Sequence, residues 1–150
     1  MDKPFKVWYC DICGTPITSM NEGMLTWEKD NSGKSYDFKV VHKNNRANGI
    51  GCDNMSVPNS AELSWLIGEN GLIFFTSFLS TGNAISGNCG NGVRDIDKFI
   101  DLMRRFQTPY YEEARKYFET DITKDLLSDS NEISAYLPKA LENIIEKNKD

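Results

Sequence analysis

Alternating apolar and polar residues in the first third of the chain predict β-strands. Residues 5–10 favour one strand, and residues 24–28 and 35–42 favour two more. The segment between the last two, residues 29–34, contains the Asp, Asn, Ser and Gly residues that are typical of a hairpin turn. The pattern therefore predicts a β-hairpin that ends at His42.

The second strand of this hairpin has two distinct faces. A side-chain period of two places Tyr36, Phe38 and Val40 together on one side of the strand. His42 follows at the strand end, where its ring could meet residues from another part of the chain.

After residue 58 the pattern changes from strand-like to helical. Asn59 followed by Glu62 fits a capping box and predicts a short helix that ends by Gly68. Residues 70–79 are strongly apolar and suit either a strand or a buried helix. We favour a helix, because the segment lies between helices. Its predicted buried residues are Leu72, Phe75 and Leu79.

Three further helices are predicted after a polar, glycine-rich loop over residues 80–92. The first spans 93–106, the second begins at Thr108-Pro109, and the third spans roughly 134–147. In the second helix, Thr108 would be the N-cap residue and Pro109 would be the first helical residue. The residues predicted to point inward are Ile96, Phe99, Ile100, Met103 and Phe106 in the first; Tyr110, Ala114, Tyr117 and Phe118 in the second; and Leu137, Leu141, Ile144 and Ile145 in the third.

Composition is that of an ordinary globular protein, with 39% apolar and 26% charged residues among 150. The net charge of −5 argues against a general binder of nucleic acids or of anionic membranes. No apolar run approaches the ~18 residues of a membrane helix, and residues 1–6 lack the apolar core of a signal peptide. We therefore expect a cytoplasmic protein that contacts no membrane.

The motif Cys10-Asp-Ile-Cys13-Gly14 is the strongest chemical signal in the chain. Two cysteines separated by two residues can direct both thiolates to one ion, and Gly14 can adopt the positive φ that such a turn requires. In a reducing compartment, this spacing is typical of a metal site. His42 and Cys52 could complete a tetrahedral zinc site.

Cys89 is a rival fourth ligand, since it also lies between glycines. A four-cysteine site without His42 is the resulting alternative, and a free thiol at Cys89 is the preferred interpretation of that residue. Redox catalysis by the Cys10–Cys13 pair is disfavoured, because Pro16 prevents the helix that would lower a thiol pKa. Catalytic zinc motifs are absent from the sequence, so a structural zinc is expected.

Together, these patterns predict an α+β fold. A zinc-ribbon-like β-hairpin subdomain over residues 1–55 would pack on a helical subdomain over residues 56–150, a bundle of about four to five helices. The two would form one compact globular unit.

Several short motifs together resemble a group of small uncharacterised bacterial proteins of unknown function. The motifs are Cys10-Asp-Ile-Cys-Gly-Thr-Pro-Ile17, Trp27, Phe38-Lys-Val-Val-His42, Cys52, Gly71-Leu72 and Pro109-Tyr-Tyr-Glu-Glu-Ala-Arg115. The resemblance covers about residues 7–145 and implies a zinc-ribbon front end followed by helices, with His42 and Cys52 as ligands. It implies no activity. The Lys- and Asn-rich loops suit a bacterial or prophage source.

Two other features suggest alternative functions. Residues 29–46 carry a net charge of +3 with aromatic residues interleaved, and could contact a nucleic acid. The basic residues available for such a partner contact are Lys34, Lys39, Lys43 and Arg46. Glu112 and Glu113 could serve an enzyme, but adjacent residues diverge by about 100° on a helix, so ordinary helix-start charges are favoured.

We therefore predict a small zinc-binding protein that acts as a non-catalytic protein-interaction or regulatory module with a protein partner. A nucleic-acid-associated regulator acting through residues 29–46 is the first alternative. An enzyme that uses the metal or Glu112 and Glu113 is the second.

Overall fold

The computed structural model describes residues 4–43, 52, 57, 59–79 and 92–150. Within these residues the chain forms five β-strands and five α-helices, which confirms the predicted α+β class. The strands are β1 (Trp8–Tyr9), β2 (Pro16–Ile17), β3 (Gly23–Lys29), β4 (Ser35–His42) and β5 (Asn59–Glu62). The helices are α1 (Gly68–Leu79), α2 (Ile96–Gln107), α3 (Tyr111–Arg115), α4 (Asp121–Leu126) and α5 (Pro138–Lys149).

The strands form two small antiparallel sheets. β1 and β2 make a two-stranded hairpin in which Trp8 lies opposite Ile17. The second sheet has the order β4-β3-β5, so the predicted hairpin of β3 and β4 gains a third strand on the other side of β3. Leu25, Ile17 and Trp8 are all fully buried, so the inner faces of both sheets contribute to one core.

The prediction of a capped helix at Asn59 is wrong, because this segment forms β5. Its backbone pairs with β3, with Ala61 opposite Leu25, and the Asn59 side chain donates to the Trp27 carbonyl at 3.3 Å. The free edge of β3 offers a ladder of backbone partners, which outweighs the local capping signal. A 3₁₀ turn at Leu63–Leu66 follows the strand.

A β-bulge changes the faces of β4. The pairing between β3 and β4 shifts between Thr26 and Glu28, and Asp37 in β4 has a left-handed φ of 54°. An extra residue reverses the side-chain alternation. Phe38 therefore packs against Trp27, with ring centroids 6.0 Å apart, whereas Tyr36 lies on the opposite face. The prediction that Tyr36 and Phe38 share a face is wrong.

Aromatic rings dominate the main core, where the sheets pack against α1 and α2. Phe75, Phe99 and Phe106 are fully or almost fully buried there, and Trp8 stacks on Phe106 with centroids 5.5 Å apart. A second cluster joins α3 and α5, with the buried residues Tyr111, Ala114, Leu141, Ile144 and Ile145. The hairpin region thus packs on a helical region, as predicted.

Residues 68–79 form a helix, as favoured, but its buried face differs from the prediction. Phe75 and Phe78 are buried, whereas Leu72 and Leu79 are exposed. Ile96 and Leu137 are also exposed, because they lie at or before the first helical residue of α2 and α5 and so precede the packed turns. The remaining predicted stripe residues of α5 are buried as expected.

The start of α3 also differs from the prediction. Thr108 ends α2, donating its backbone N–H to the Arg104 carbonyl at 3.0 Å, and does not cap the next helix. Tyr110, with a φ of 68°, precedes α3 instead. The short helix α4 was not predicted. It begins at a Thr120 cap whose hydroxyl accepts from the Thr123 backbone N–H at 3.2 Å.

The predicted boundary between residues 55 and 56 lies outside the described residues, and so does nearly all of the predicted loop 80–92. Each helix within the described ranges falls short of the length and apolarity that a membrane crossing requires.

Gly71 is expected to be intolerant of any side chain. The carbonyl of Leu66 lies directly against its Cα, and this carbonyl accepts the Gln107 side-chain amide at 2.8 Å. A Cβ at residue 71 would overlap both groups. Gly71→Ala should therefore lower the free energy of unfolding by about 1–3 kcal/mol, in spite of alanine's higher helix propensity. Urea denaturation measures this change.

The matched control is Asn70→Ala, one residue earlier on the exposed side of the same helix. It should leave the urea midpoint unchanged or raise it. Equal midpoints for the two variants would contradict the close packing of α1 on Leu66.

Candidate metal centre

The structure brings four potential metal ligands together. The sulfur atoms of Cys10, Cys13 and Cys52 and a ring nitrogen of His42 all lie within 4.8 Å of one another. These are the four residues that the sequence pattern predicts. Among the described residues, this is also the only group of three or more His, Cys, Asp or Glu side chains with the spacing of a metal site.

The first two ligands lie in the turn between β1 and β2. Cys10 donates its backbone N–H to the Thr15 carbonyl at 3.1 Å, and its own carbonyl accepts from Gly14 N–H at 2.9 Å. Gly14 has the predicted positive φ, at 75°. The N–H of Ile12 donates to the Cys10 sulfur at 3.4 Å. We call residues 10–15 the knuckle, and its folded backbone directs both sulfurs to the same side.

The last residue of β4, His42, completes the group together with Cys52. Its Nε2 lies 3.2 Å from the Pro16 carbonyl, which can only accept, so Nε2 carries the proton. The other nitrogen, Nδ1, then presents its lone pair to Cys13, whose sulfur is 3.4 Å away. Cys52 is held beside them, since its N–H donates to the His42 carbonyl at 3.1 Å. The imidazole therefore has the tautomer that a metal ligand needs.

The three thiols influence one another's ionisation. Burial and the proximity of Cys10 and Cys13 raise the pKa of Cys52 to about 12. Burial would also raise the pKa of Cys10, but backbone N–H donors in and around the knuckle bring it below its ordinary value. The pKa of Cys13 is lowered by hydrogen bonds from Thr15. The protein alone therefore does not stabilise three thiolates together, whereas a cation among them would.

The geometry suits a tetrahedral ion. With metal–sulfur bonds of about 2.3 Å, the sulfurs of a tetrahedral site lie about 3.8 Å apart. A mutual separation of at most 4.8 Å requires only a small contraction to reach that arrangement. The four residues are thus compatible with a metal ion that has three sulfur ligands and one nitrogen ligand.

A buried ion pair lies behind the knuckle, and the sequence analysis missed it. Nε and Nη2 of Arg105 donate to the two carboxylate oxygens of Glu112 at 2.7 and 2.9 Å, and both side chains are 4% exposed. One of these oxygens also accepts the backbone N–H of Tyr9 at 2.8 Å. Glu112 does lie in the first turn of α3, as favoured, but it is a buried ion-pair partner rather than an ordinary helix-start charge. Its oxygens are occupied by partners, and it is not free to act on a substrate.

Among the residues proposed for nucleic-acid contact, those that the structure describes do not form one free basic surface. Lys39 pairs with Asp37 at 3.3 Å, and Lys43 pairs with Glu62. Lys34 is exposed, and Arg46 lies outside the described residues.

The aromatic side chains of the hairpin are engaged as well. Trp27 is 6% exposed within the core, and Tyr36 is covered by the Arg94 guanidinium at 3.9 Å from the ring centroid. The hairpin therefore lacks the exposed rings on which unpaired bases stack. Cys89, the rival metal ligand, lies outside the described residues.

Comparison with known proteins identifies no relative. No protein-family model, curated protein or solved structure matches this chain. The resemblance to small bacterial zinc-ribbon-like proteins stays a prediction, and the function must be argued from the site itself.

The ion pair behind the knuckle should be essential for stability. An amide at position 112 offers one acceptor oxygen where the carboxylate accepts three bonds, so its NH₂ group would face another donor. Glu112→Gln should lower the free energy of unfolding by about 3–5 kcal/mol, because Arg105 is left buried without its closest counter-charge. Thermal or urea unfolding at neutral pH measures the loss.

The neighbouring substitution Glu113→Gln is the control. Burial raises the pKa of the half-buried Glu113, so its charged form opposes folding above that pKa. This variant should be as stable as the wild type or slightly more stable at neutral pH. The difference should vanish at acidic pH, where both folded and unfolded chains are protonated at this residue. Similar losses in both variants would argue against a specific role for Glu112.

Proposed function

We propose that this chain is a small zinc-binding module in which a structural Zn²⁺ is held by Cys10, Cys13, His42 and Cys52. The proposal is carried by one observation, the convergence of these four ligand atoms within 4.8 Å. They come from three separate segments: the knuckle, the end of β4, and Cys52. The role of the ion would be to tie these segments together.

The chemistry of the donors supports zinc. Three thiolates and one imidazole are soft and borderline ligands, and the Cys₃His set is typical of tetrahedral structural zinc. Calcium and magnesium require oxygen ligands, which this group lacks. Four protein donors fill the tetrahedron, so no coordination position remains for a substrate or an activated water. This supports an architectural role rather than a catalytic one.

The zinc content of purified protein tests the ligand set. The wild type should contain one Zn²⁺ per folded chain. Replacement of any one ligand, as in Cys52→Ser or His42→Ala, should remove most of the zinc and destabilise the fold, because metal binding and folding are coupled in such sites. Metal analysis together with circular dichroism before and after chelation measures both effects.

Cys89→Ser is the matched control, since it removes a cysteine that the proposed set does not need. It should retain full zinc content and wild-type stability. A loss of zinc equal to that of Cys52→Ser would make Cys89 a ligand and contradict the proposed set. A zinc ion that carries an exchangeable water would contradict the structural role.

We further propose that the module acts by contacting a protein partner. The outer face of α1 supports this idea, because Leu72 is 52% exposed and Ile73 is 63% exposed, with Trp65 exposed in the preceding turn. Large apolar side chains exposed side by side are typical of protein contacts. The alternatives, nucleic-acid binding and catalysis by Glu112 and Glu113, have no comparable support.

A charge placed on this face should abolish the contact. Ile73→Asp should prevent recovery of a stoichiometric protein partner by affinity capture from the native cells, because it would put a carboxylate into an apolar interface. Ile133→Asp is the control, since Ile133 is equally apolar and 79% exposed but lies outside α1, in the segment between α4 and α5. Equal recovery of the partner by both variants would show that this face is not the contact surface. No stoichiometric protein with the wild type would count against the interaction role itself.

A further inference from the structure

Arg105 holds the chain on both sides of the first zinc ligand. Its Nη2 donates to the carbonyl of Tyr9 at 3.0 Å, and its Nη1 donates to the two carboxylate oxygens of Asp11 at 3.1 and 2.9 Å. Glu112 adds the bond from Tyr9 N–H that was described above. The residues immediately before and after Cys10 are therefore both fixed from the helical side.

Asp11 extends this grip to the strand that carries His42. Its Oδ2 accepts the backbone N–H of Val40 at 2.7 Å, and its own N–H donates to the Val40 carbonyl at 2.8 Å. Val40 is two residues before His42. One guanidinium thus connects α2 with the knuckle, and through Asp11 with the end of β4.

The guanidinium of Arg105 makes full use of its donors in this position. It points toward Glu112 on one side and toward Tyr9 and Asp11 on the other, with the side chain only 4% exposed. Such a planar fork cannot be replaced by a single point charge. These bonds go to the neighbours of Cys10 rather than to its sulfur, so they act on the metal site by fixing where the ligands lie.

We propose that Arg105 is a positioning residue for the zinc centre, so that zinc binding and the packing of α2 and α3 against the knuckle stabilise each other. The inference rests on the proposed function, since it requires a bound ion. It goes further by making the affinity for zinc depend on the helices. Such a dependence is reciprocal: whatever the helices add to zinc affinity, zinc adds to their packing.

The test is the zinc dissociation constant of the full chain, measured by competition with a chelator. Arg105→Lys keeps the charge but cannot reach Tyr9, Asp11 and Glu112 together. It should weaken zinc binding about tenfold or more, the range seen when groups that orient metal ligands are changed. A Co²⁺-loaded sample should also show shifted ligand-field bands, which report a changed ligand geometry.

Arg115→Lys is the matched control. Arg115 also joins α3 to α2, through a 2.7 Å bond to Asp101. The hydrogen bonds that Arg105 and Glu112 make to Tyr9 and Asp11 do not involve this pair. This variant should change the zinc affinity less than about twofold and leave the Co²⁺ spectrum unchanged.

Asp11→Asn is the second test variant, for the case in which Arg105→Lys does not fold. It should fold, because it preserves the shape of a side chain that is 26% exposed. It should weaken zinc binding and also shift the Co²⁺ bands, because an amide has one acceptor oxygen and cannot accept all the bonds that Arg105 and Val40 make to the carboxylate. A loss of charge alone would leave the ligand geometry, and so the bands, unchanged. Where both single variants fold, the double variant should bind zinc little more weakly than Arg105→Lys, because the two residues act through the same contact.

The inference would be overturned if Arg105→Lys kept the wild-type zinc affinity and Co²⁺ spectrum. If Arg105→Lys does not fold, the same result in Asp11→Asn would overturn it. Neither result would contradict the zinc site itself. An equal loss of affinity in Arg115→Lys would also overturn the inference, since general destabilisation would then be the cause. A wild-type chain that binds no zinc would instead reject the proposed function, so the two failures are distinguishable.

Discussion

The buried ion pair between Arg105 and Glu112 is the interaction on which the arrangement of this fold depends. It joins α2 and α3 across the chain reversal at Thr108–Tyr110, and it occupies both polar backbone groups of Tyr9 in β1. Removing two charges from water costs several kcal/mol, and an apolar pair of similar volume is often as stable. An apolar pair, however, would leave the N–H and carbonyl of Tyr9 buried without partners. The role of the two charges is therefore to specify where the knuckle packs on the helices.

The described part of the chain forms two cores, and they differ in their relation to the knuckle. The larger core contains Cys10 and Trp8 beside the rings of α1 and α2, so the knuckle is part of it. The smaller core between α3 and α5 is separate. Arg105 and Glu112 lie where these regions meet, since one residue belongs to α2 and the other to α3. A disturbance of the knuckle therefore reaches α2 and α3 directly, whereas α5 lies beyond them.

The sequence was informative wherever local spacing carries the signal. Cys10 and Cys13 are two residues apart, and the strand pattern ending at His42 placed the ring at the correct end of β4. The pairing of β5 with β3 could not be predicted from Asn59 and Glu62, because a capping signal is local and the free strand edge is not. The bulge at Asp37 could not be predicted from the sequence for a similar reason. An alternating pattern shows no sign of an extra residue until the partner strand is known.

The sequence contains a signal that Arg105 is a buried ion-pair partner. On α2 it lies on the same side as Leu102 and Phe106, both of which are buried, so a charged residue interrupts an otherwise apolar stripe. A charge in that position must find a counter-charge, because burial without one is prohibitively costly. The sequence alone could not have identified Glu112 and Asp11 as the partners. One follows a helix break, and the other lies 94 residues away inside the cysteine motif. That second position is informative, since it lies between two candidate metal ligands and its carboxylate is bonded to Arg105 and to β4. The metal motif and the helical body therefore constrain the same side chain, which accounts for an acidic residue in the middle of a cysteine knuckle.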